Sequence, residues 1–182
     1  MAEITKEELL ARYAAGERDF SGLDFSGIIF GRCVLNSCNF RGANFSGANF
    51  SNWTHIMYCD FRDTIFRGAN LSYCSFSGSN FSGADMREVD FTNGEGIGVI
   101  FENTNLRGIK GSFVTEGTLY IRNCIGEKGE IINRFGKYIV IKELENRYVD
   151  EWNGIPMDQI RPVGLNNTKL SNVNIDDDII SF

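Results

Sequence analysis

Residues 41–51 read RGANFSGANFS and residues 67–86 read RGANLSYCSFSGSNFSGADM. A large apolar residue stands at every fifth place: Phe45 and Phe50 in the first, then Leu71, Phe76, Phe81 and Met86 in the second. Worked outward, the beat starts at Phe20 and passes through Phe25, Phe30, Leu35 and Phe40. One extra residue interrupts it within SNWTHI, after which it resumes at Ile56 and runs through Phe61 and Phe66 to Phe91. Gly96 takes the next such place, and Phe101 and Leu106 restore the pattern. Helices repeat their apolar face every 3.6 residues and strands every 2, so a period of five fits neither.

The residue two places before each apolar one is nearly always small, as at Cys33, Cys38, Ala43, Ala48, Thr54, Cys59, Ala69, Cys74, Ser79 and Ala84. Side chains two apart on extended backbone point the same way. Each unit therefore sends one large and one small side chain inward and then turns a corner. Ser-Gly and Arg-Gly pairs suit those corners.

RGANFSGANFS, RGANLSYCSFSGSNFSGADM and FENTNLRG (101–108) resemble the A(D/N)LxX motif of pentapeptide-repeat proteins. The resemblance covers roughly residues 18–109. It implies an all-β fold, a right-handed quadrilateral parallel β-helix with four pentapeptides per coil. Grouping every fourth unit tests that coil against the sequence. One column is all Phe (Phe20, Phe40, Phe61, Phe81, Phe101), whereas the fourth (Leu35, Ile56, Phe76, Gly96) gathers both the extra residue and the glycine. Stacked at the ~4.8 Å spacing of neighbouring strands, about four and a half coils give a rod roughly 20–25 Å long.

Three segments follow: 1–17, 18–109 and 110–182. A solenoid's open end exposes unpaired strand edges, where a cap or a homodimer would sit. Thr5 and Glu8 have capping-box spacing, Leu9, Leu10 and Tyr13 make an apolar stripe, and Gly16 can end a helix, so 5–15 is read as a capping helix. EELLARYAAGERDFSG (7–22) is also similar to the start of cyanobacterial pentapeptide-repeat proteins. After Leu106, GTLYIRNCI, EIINRF, KYIVIKEL and RYVDEW read as short strands of a β-rich appendage, a pair of hairpins closing the end. A weaker beat at Ile160, Leu165, Leu170 and Ile175 would add one further coil at 160–180.

No reactive constellation emerges. His55, the single histidine among 182 residues, is read as an exposed corner residue. GEGIGV (94–99) resembles a nucleotide loop only in its glycines, because no helix follows; a bulge or a thinned fourth face is the reading. The cysteines Cys33, Cys38, Cys59 and Cys74 fall at small inward places, which makes them filling rather than redox groups. Asp19, Asp24, Asp60, Asp85, Asp90 and Glu95 are read as solvated corner and edge groups. Asp150, Glu151, Asp158 and Asp176–Asp178 lack a His or Cys partner, so no enzyme, metal or cofactor is implied. MAEITKEELLARY has no secretory pattern and no apolar run approaches the ~20 residues of a membrane span, so a soluble cytoplasmic protein is expected.

Two surface features remain. Arg67, Arg87 and Arg107 should form a ladder on successive coils, with Arg41 and Arg62 as a shorter one beside it. Trp53 and Tyr73 should meet on adjacent coils, with Met57 and Tyr58 nearby. Arg and large aromatics are favoured anchors, so these residues mark a face for an unidentified protein partner. A non-catalytic interaction or scaffold module is the leading function. The family also implies an alternative, because some members imitate duplex DNA, bind DNA gyrase or a related topoisomerase and protect against quinolones. The net charge of −6 disfavours direct nucleic-acid binding but suits such mimicry. Against it, residues 18–109 mix seven Arg with nine Asp or Glu, which breaks any continuous negative face.

Overall fold

A computed structural model describes residues 2–111, 113–114, 119–126 and 129–136. Parallel bridges join Asp19 to Asn39, Asp24 to Asn44 and Ile29 to Asn49, each twenty residues on, so four units return the chain to the same side. Across SNWTHI the offset becomes twenty-one (Val34 to His55, Asn39 to Asp60), and it returns to twenty from His55 to Ser75. The extra residue lies in the corner before Thr54, where Asn52 and Trp53 both have positive φ.

One unit shows why the repeat has its composition. In Ala43–Gly47 all five backbone N–H groups have acceptors. Ala43 donates to the Phe40 carbonyl (3.0 Å), Asn44 to Leu23 on the coil below (3.0 Å), Phe45 to Ile65 on the coil above (2.6 Å) and Gly47 to Arg67 (2.9 Å). Ser46, at the corner, faces no neighbouring coil carbonyl and donates instead to the Asn44 side chain at 3.0 Å. The Asp or Asn of the motif is thus the built-in acceptor for the corner amide, the arrangement of an Asx turn.

That finding corrects the reading of the acids as merely solvated. Asp19, Asp24, Asp60, Asp85 and Asp90 accept from the amides of Ser21, Ser26, Arg62, Arg87 and Thr92 at 2.8–3.3 Å.

Inside, the columns stack as their spacing predicts. Rings of Phe20, Phe40, Phe61, Phe81 and Phe101 follow at 5.6, 5.3, 4.9 and 5.4 Å between centroids. Phe25, Phe45 and Phe66 stack at 4.8 Å per step. Adjacent columns meet edge to face, as Phe45 does with Phe61, a pairing that adds to area burial. Cys38, Cys59 and Cys74 are buried among the small residues and Cys33 is half-buried. Cys59 donates its thiol proton to the Leu35 carbonyl at 3.0 Å, and burial pushes its pKa far up.

The fourth side neither bulges nor thins at its glycines. Phe76 donates to the Glu95 carbonyl (2.9 Å) and Gly78 to Ile97 (2.6 Å), so the ladder continues. A Cβ on Gly96 would stand 2.6 Å from Phe76 Cε2 and 2.8 Å from Val99 Cγ2. The Phe76 ring fills the place that a large residue would take at Gly96.

At the N-terminal end, strand β1 (Ala2–Glu3) pairs parallel with β2 (Leu23–Asp24), an addition the five-residue beat does not announce. Helix α1 (Lys6–Ala14) follows, with the Thr5 hydroxyl accepting from the Glu8 amide at 3.1 Å. Leu9 is fully buried, and Leu10 and Tyr13 pack against the core. The Tyr13 hydroxyl accepts from the Asn36 amide (3.2 Å), and Arg12 lies over the Phe20 ring. Gly16, at φ 96°, turns the chain out of the helix.

At the other end the parallel ladder outruns residue 109. Strands β3 (Gly94–Glu95) and β4 (Val99–Glu102) pair parallel with β5 (Phe113–Val114) and β6 (Leu119–Ile125). Ile121 stands opposite Phe101, and Cys124 is buried with its thiol donating to the Phe101 carbonyl at 3.1 Å. Within GTLYIRNCI, Leu119–Ile125 is therefore coil before it is hairpin. Its Ile and Cys keep the inward places, but the nineteen-residue offset between Glu95 and Val114 breaks the beat that would have revealed them. Strand β7 (Ile131–Gly136) then pairs antiparallel with β6, as expected of a hairpin. KYIVIKEL, RYVDEW, the later acids and the further coil at 160–180 lie outside the described residues.

Phe61→Ala should cost about 3–5 kcal/mol in chemical denaturation, as for other large core truncations. Gly96→Ala, which adds only a methyl group, should cost about 1–3 kcal/mol by overpacking.

Acid should also unfold the coil. Hydrogen bonds from Ser21 and Ser26 lower the Asp19 and Asp24 carboxyls, and the Arg87 guanidinium lowers Asp85. Burial raises Asp60, but Arg62 more than offsets it. Depressed carboxyls supply stability that is complete above the unfolded value of about 3.9 and lost as pH falls through the folded one. The melting temperature should hold above about pH 5 and drop below about pH 4. Asp85→Asn keeps the acceptor and should make that acid limb shallower.

Candidate interaction face

Corners of this coil place residues in left-handed backbone: glycine at many, as at Gly42, Gly47, Gly68 and Gly83, and polar residues at others, as at Ser37, Asp63, Glu88 and Asn93. Three corners beside the fourth side take aromatics there: Trp53 at φ 63°, Tyr58 at 58° and Tyr73 at 54°. Left-handed backbone costs a residue with a Cβ roughly 1–2 kcal/mol. All three rings are nonetheless exposed, at 58%, 67% and 47%.

Trp53 and Tyr73 stand on adjacent coils with centroids 6.5 Å apart and planes tilted by 41°. The Tyr58 ring crosses Gly78 so closely that a Cβ there would fall 2.4 Å from Tyr58 Cδ1. Met57, beside it, is half-buried. The structure thus brings Trp53 and Tyr73 together as expected and sets Tyr58 and Met57 at the opposite corner of the same side.

Sequence reasoning missed two further members, Val34 and Ile97, which are 49% and 50% exposed at the first and last of four coils. Their five-residue phase, outward at Val34 and at the corner for Ile97, was the available signal. His55 is no corner residue. It occupies the middle of this side, bridged to Val34 and Ser75, because the inserted residue precedes it rather than follows it. Its Nδ1 is buried without a hydrogen-bond partner among the described residues.

The arginines behave differently. Their backbones do stack in ladders, with the Gly68 amide donating to the Arg87 carbonyl and Glu88 to Arg107. Their guanidiniums are engaged by carboxylates: Arg41 with Asp63 (3.0 Å), Arg62 with Asp60 (2.5 Å), Arg67 with Glu88 (3.6 Å) and Arg87 with Asp85 (2.5 Å). Arg107 points its guanidinium toward Gly129. These are ion-pair ladders that also brace the corners. The aromatic side is the stronger candidate for contact.

The GEGIGV stretch joins two consecutive sides of one coil, β3 and β4, and no helix follows it among the described residues. Among the described residues, no group of three or more His, Cys, Asp or Glu could hold a metal ion. Among them, too, no helix is long and apolar enough to cross a membrane.

If the left-handed corner is the constraint at residue 73, Tyr73→Gly should be more stable than Tyr73→Ala by about 1 kcal/mol. Matched urea melts of the two variants measure the difference.

The Pentapeptide repeats family matches in eight copies, over residues 19–52 and 57–93. No curated protein matches the chain. Among solved structures, a pentapeptide repeat protein from the Arabidopsis thaliana thylakoid lumen is 31% identical at a TM-score of 0.31, covering 53% of this chain and 63% of that one. QnrB1, a plasmid-mediated fluoroquinolone resistance protein, is 17% identical at 0.46, covering 69% and 56%. A pentapeptide repeat protein from the cyanobacterium Cyanothece 51142 is 18% identical at 0.38, covering 56% and 91%. The chain therefore spans less than two thirds of the first two. Members of the family fold as right-handed β-helices, and residues 19–52 and 57–93, less than half of this chain, match its repeats.

Proposed function

We propose that the chain is a non-catalytic protein–protein interaction module, a rigid four-sided rod that presents its fourth side to a partner. The observation that carries this reading is the trio Trp53, Tyr58 and Tyr73, held exposed at left-handed corners, a backbone that glycine or a polar residue takes elsewhere in the rod. Unfavourable backbone maintained at exposed aromatics points toward use of those rings. Aromatic anchors on a stiff scaffold also lose little conformational entropy on binding.

In this reading residues 1–17 cap the rod through α1 and 18–109 supply the contact surface. Residues 119–125 add a further coil, and β7 pairs with it at the other end. The arginine ladders serve as rim and brace. Free thiols at Cys38 and Cys59 on neighbouring coils suit a reducing compartment such as the cytoplasm.

Capture with the purified chain should retain a specific protein that Trp53→Gly/Tyr73→Gly releases and Arg87→Ala retains. Retention unaffected by the aromatic substitutions would sink the proposal, as would a specific turnover abolished by a point mutation. Gyrase supercoiling should be unchanged at high concentrations of the chain, because carboxylates on the arginine-bearing corners are already neutralised by Arg62, Arg67 and Arg87.

A further inference from the structure

We propose, building on the interaction-module reading, that the partner of the aromatic side is a second copy of this chain packed antiparallel to the first. The basis is the distribution of charge on that side. From Gly31 to Gly98 its four rows, 31–37, 51–58, 72–78 and 92–98, hold only two residues counted as charged at pH 7, Arg32 and Glu95, with His55 counted neutral. Both are exposed. They lie three rows apart, Arg32 on the first row and Glu95 on the fourth, beside which β5 adds the next strand. Lys6 sharpens the polarity, because its Nζ would lie 3.6 Å from a Cβ on Gly31. The first row is thus positive, the fourth negative and the middle rows neutral and aromatic.

A face with charges of opposite sign at its two ends is complementary to itself when turned over. Consider a two-fold axis lying in the contact plane and perpendicular to the rod. It sets the first row of one copy against the fourth row of the other, so Arg32, in the corner column of Trp53 and Tyr73, comes opposite the Asn93 corner of its mate, with Glu95 two residues along the same row. The same rotation keeps each corner on its own side. Trp53 on the second row then meets Tyr73 on the third row of the second copy, and the reverse contact repeats it. A parallel arrangement would oppose the two Arg32 rows to each other and the two Glu95 rows likewise. Isologous contacts of the antiparallel kind are the usual form of a homodimer.

Size sets the strength. Four rows at ~4.8 Å make the side roughly 20 Å tall, and one side of a five-residue unit is about 10–15 Å wide. That is well below the ≈ 800 Å² per partner of a standard interface. A contact of that size belongs with weak, transient associations.

Sedimentation velocity on the full chain between about 5 and about 500 μM tests this, spanning the range expected of a small interface. The wild-type chain should move from monomer toward dimer. Trp53→Gly/Tyr73→Gly should remain monomeric, and Arg32→Glu or Glu95→Arg alone should each weaken association by about tenfold or more. The decisive arm mixes those two single variants. Only in the antiparallel pair does the row with Glu at 32 of one copy face the row with Arg at 95 of the other, and the row of Arg32 that of Glu95, so the mixture should associate as well as the wild type.

Circular dichroism melts will establish that the exposed-site variants fold. A wild-type chain that stays monomeric overturns the proposal, and so does a mixture no better than either variant alone. Should capture of a different protein still depend on Trp53 and Tyr73, the interaction reading survives while self-association fails.

Discussion

Five residues must satisfy five backbone donors at every turn of this rod, and that constraint governs the rest. Coils above and below, together with the turn itself, take four of them, as in Ala43–Gly47. The fifth, at the corner, turns to a side chain: the one two residues back where Asn44 accepts from Ser46, or one on the coil below where Asn36 accepts from Met57 and Ser77 from Ile97. Buried or half-buried amides left unpaired are costly, which explains why Asp or Asn recurs there more strictly than charge alone would require. Asn39 and Asn44 extend the same economy vertically, donating their side-chain amides to Asp19 and Asp24 on the coil below.

Once the register is fixed by those bonds, the interior has no freedom to average out misfits. Each large residue sits over its own kind twenty places away, so a change of volume is met by the same column. The fourth column shows how two such changes are absorbed. The residue inserted before Thr54 is expelled into the corner, leaving Ile56 fully buried in phase. The missing side chain at Gly96 is compensated by the ring of Phe76. Both irregularities stay local because the ladder through Glu95 and Ile97 is unbroken.

The period of five made the coil legible in the sequence, since the places from Phe20 to Leu106 carry large buried side chains except at Gly96, with a single extra residue. It failed where the signal was thin. Ile121 and Cys124 occupy inward places, but the nineteen-residue offset at Val114 and the alternating run LYIRNCI made that coil look like ordinary hairpin. Strand β1 was invisible for a different reason: two residues pairing with Leu23–Asp24 have no period at all. At the candidate face, proximity of Trp53 and Tyr73 followed from their places one coil apart, whereas Val34 and Ile97 passed unnoticed as isolated apolar residues. Pairing of the arginines also escaped notice. Asp60 and Asp85 lie two residues from Arg62 and Arg87, and only an extended chain that then turns lets such neighbours close an ion pair.

Placement of the aromatics carries a final distinction. A solvent-facing Trp or Tyr on the outward mid-side place would need no explanation, because extended backbone tolerates it. At the left-handed corner the same residue loses backbone energy that glycine would keep, and it does so three times around one side. Tyr58 makes part of its position intelligible, since its ring covers Gly78 and gains contact within the rod. Trp53 and Tyr73 touch each other at 6.5 Å but leave about half of each residue in solvent. Packing within the rod therefore accounts for Tyr58 better than for the other two, and the demand for a partner falls chiefly on Trp53 and Tyr73.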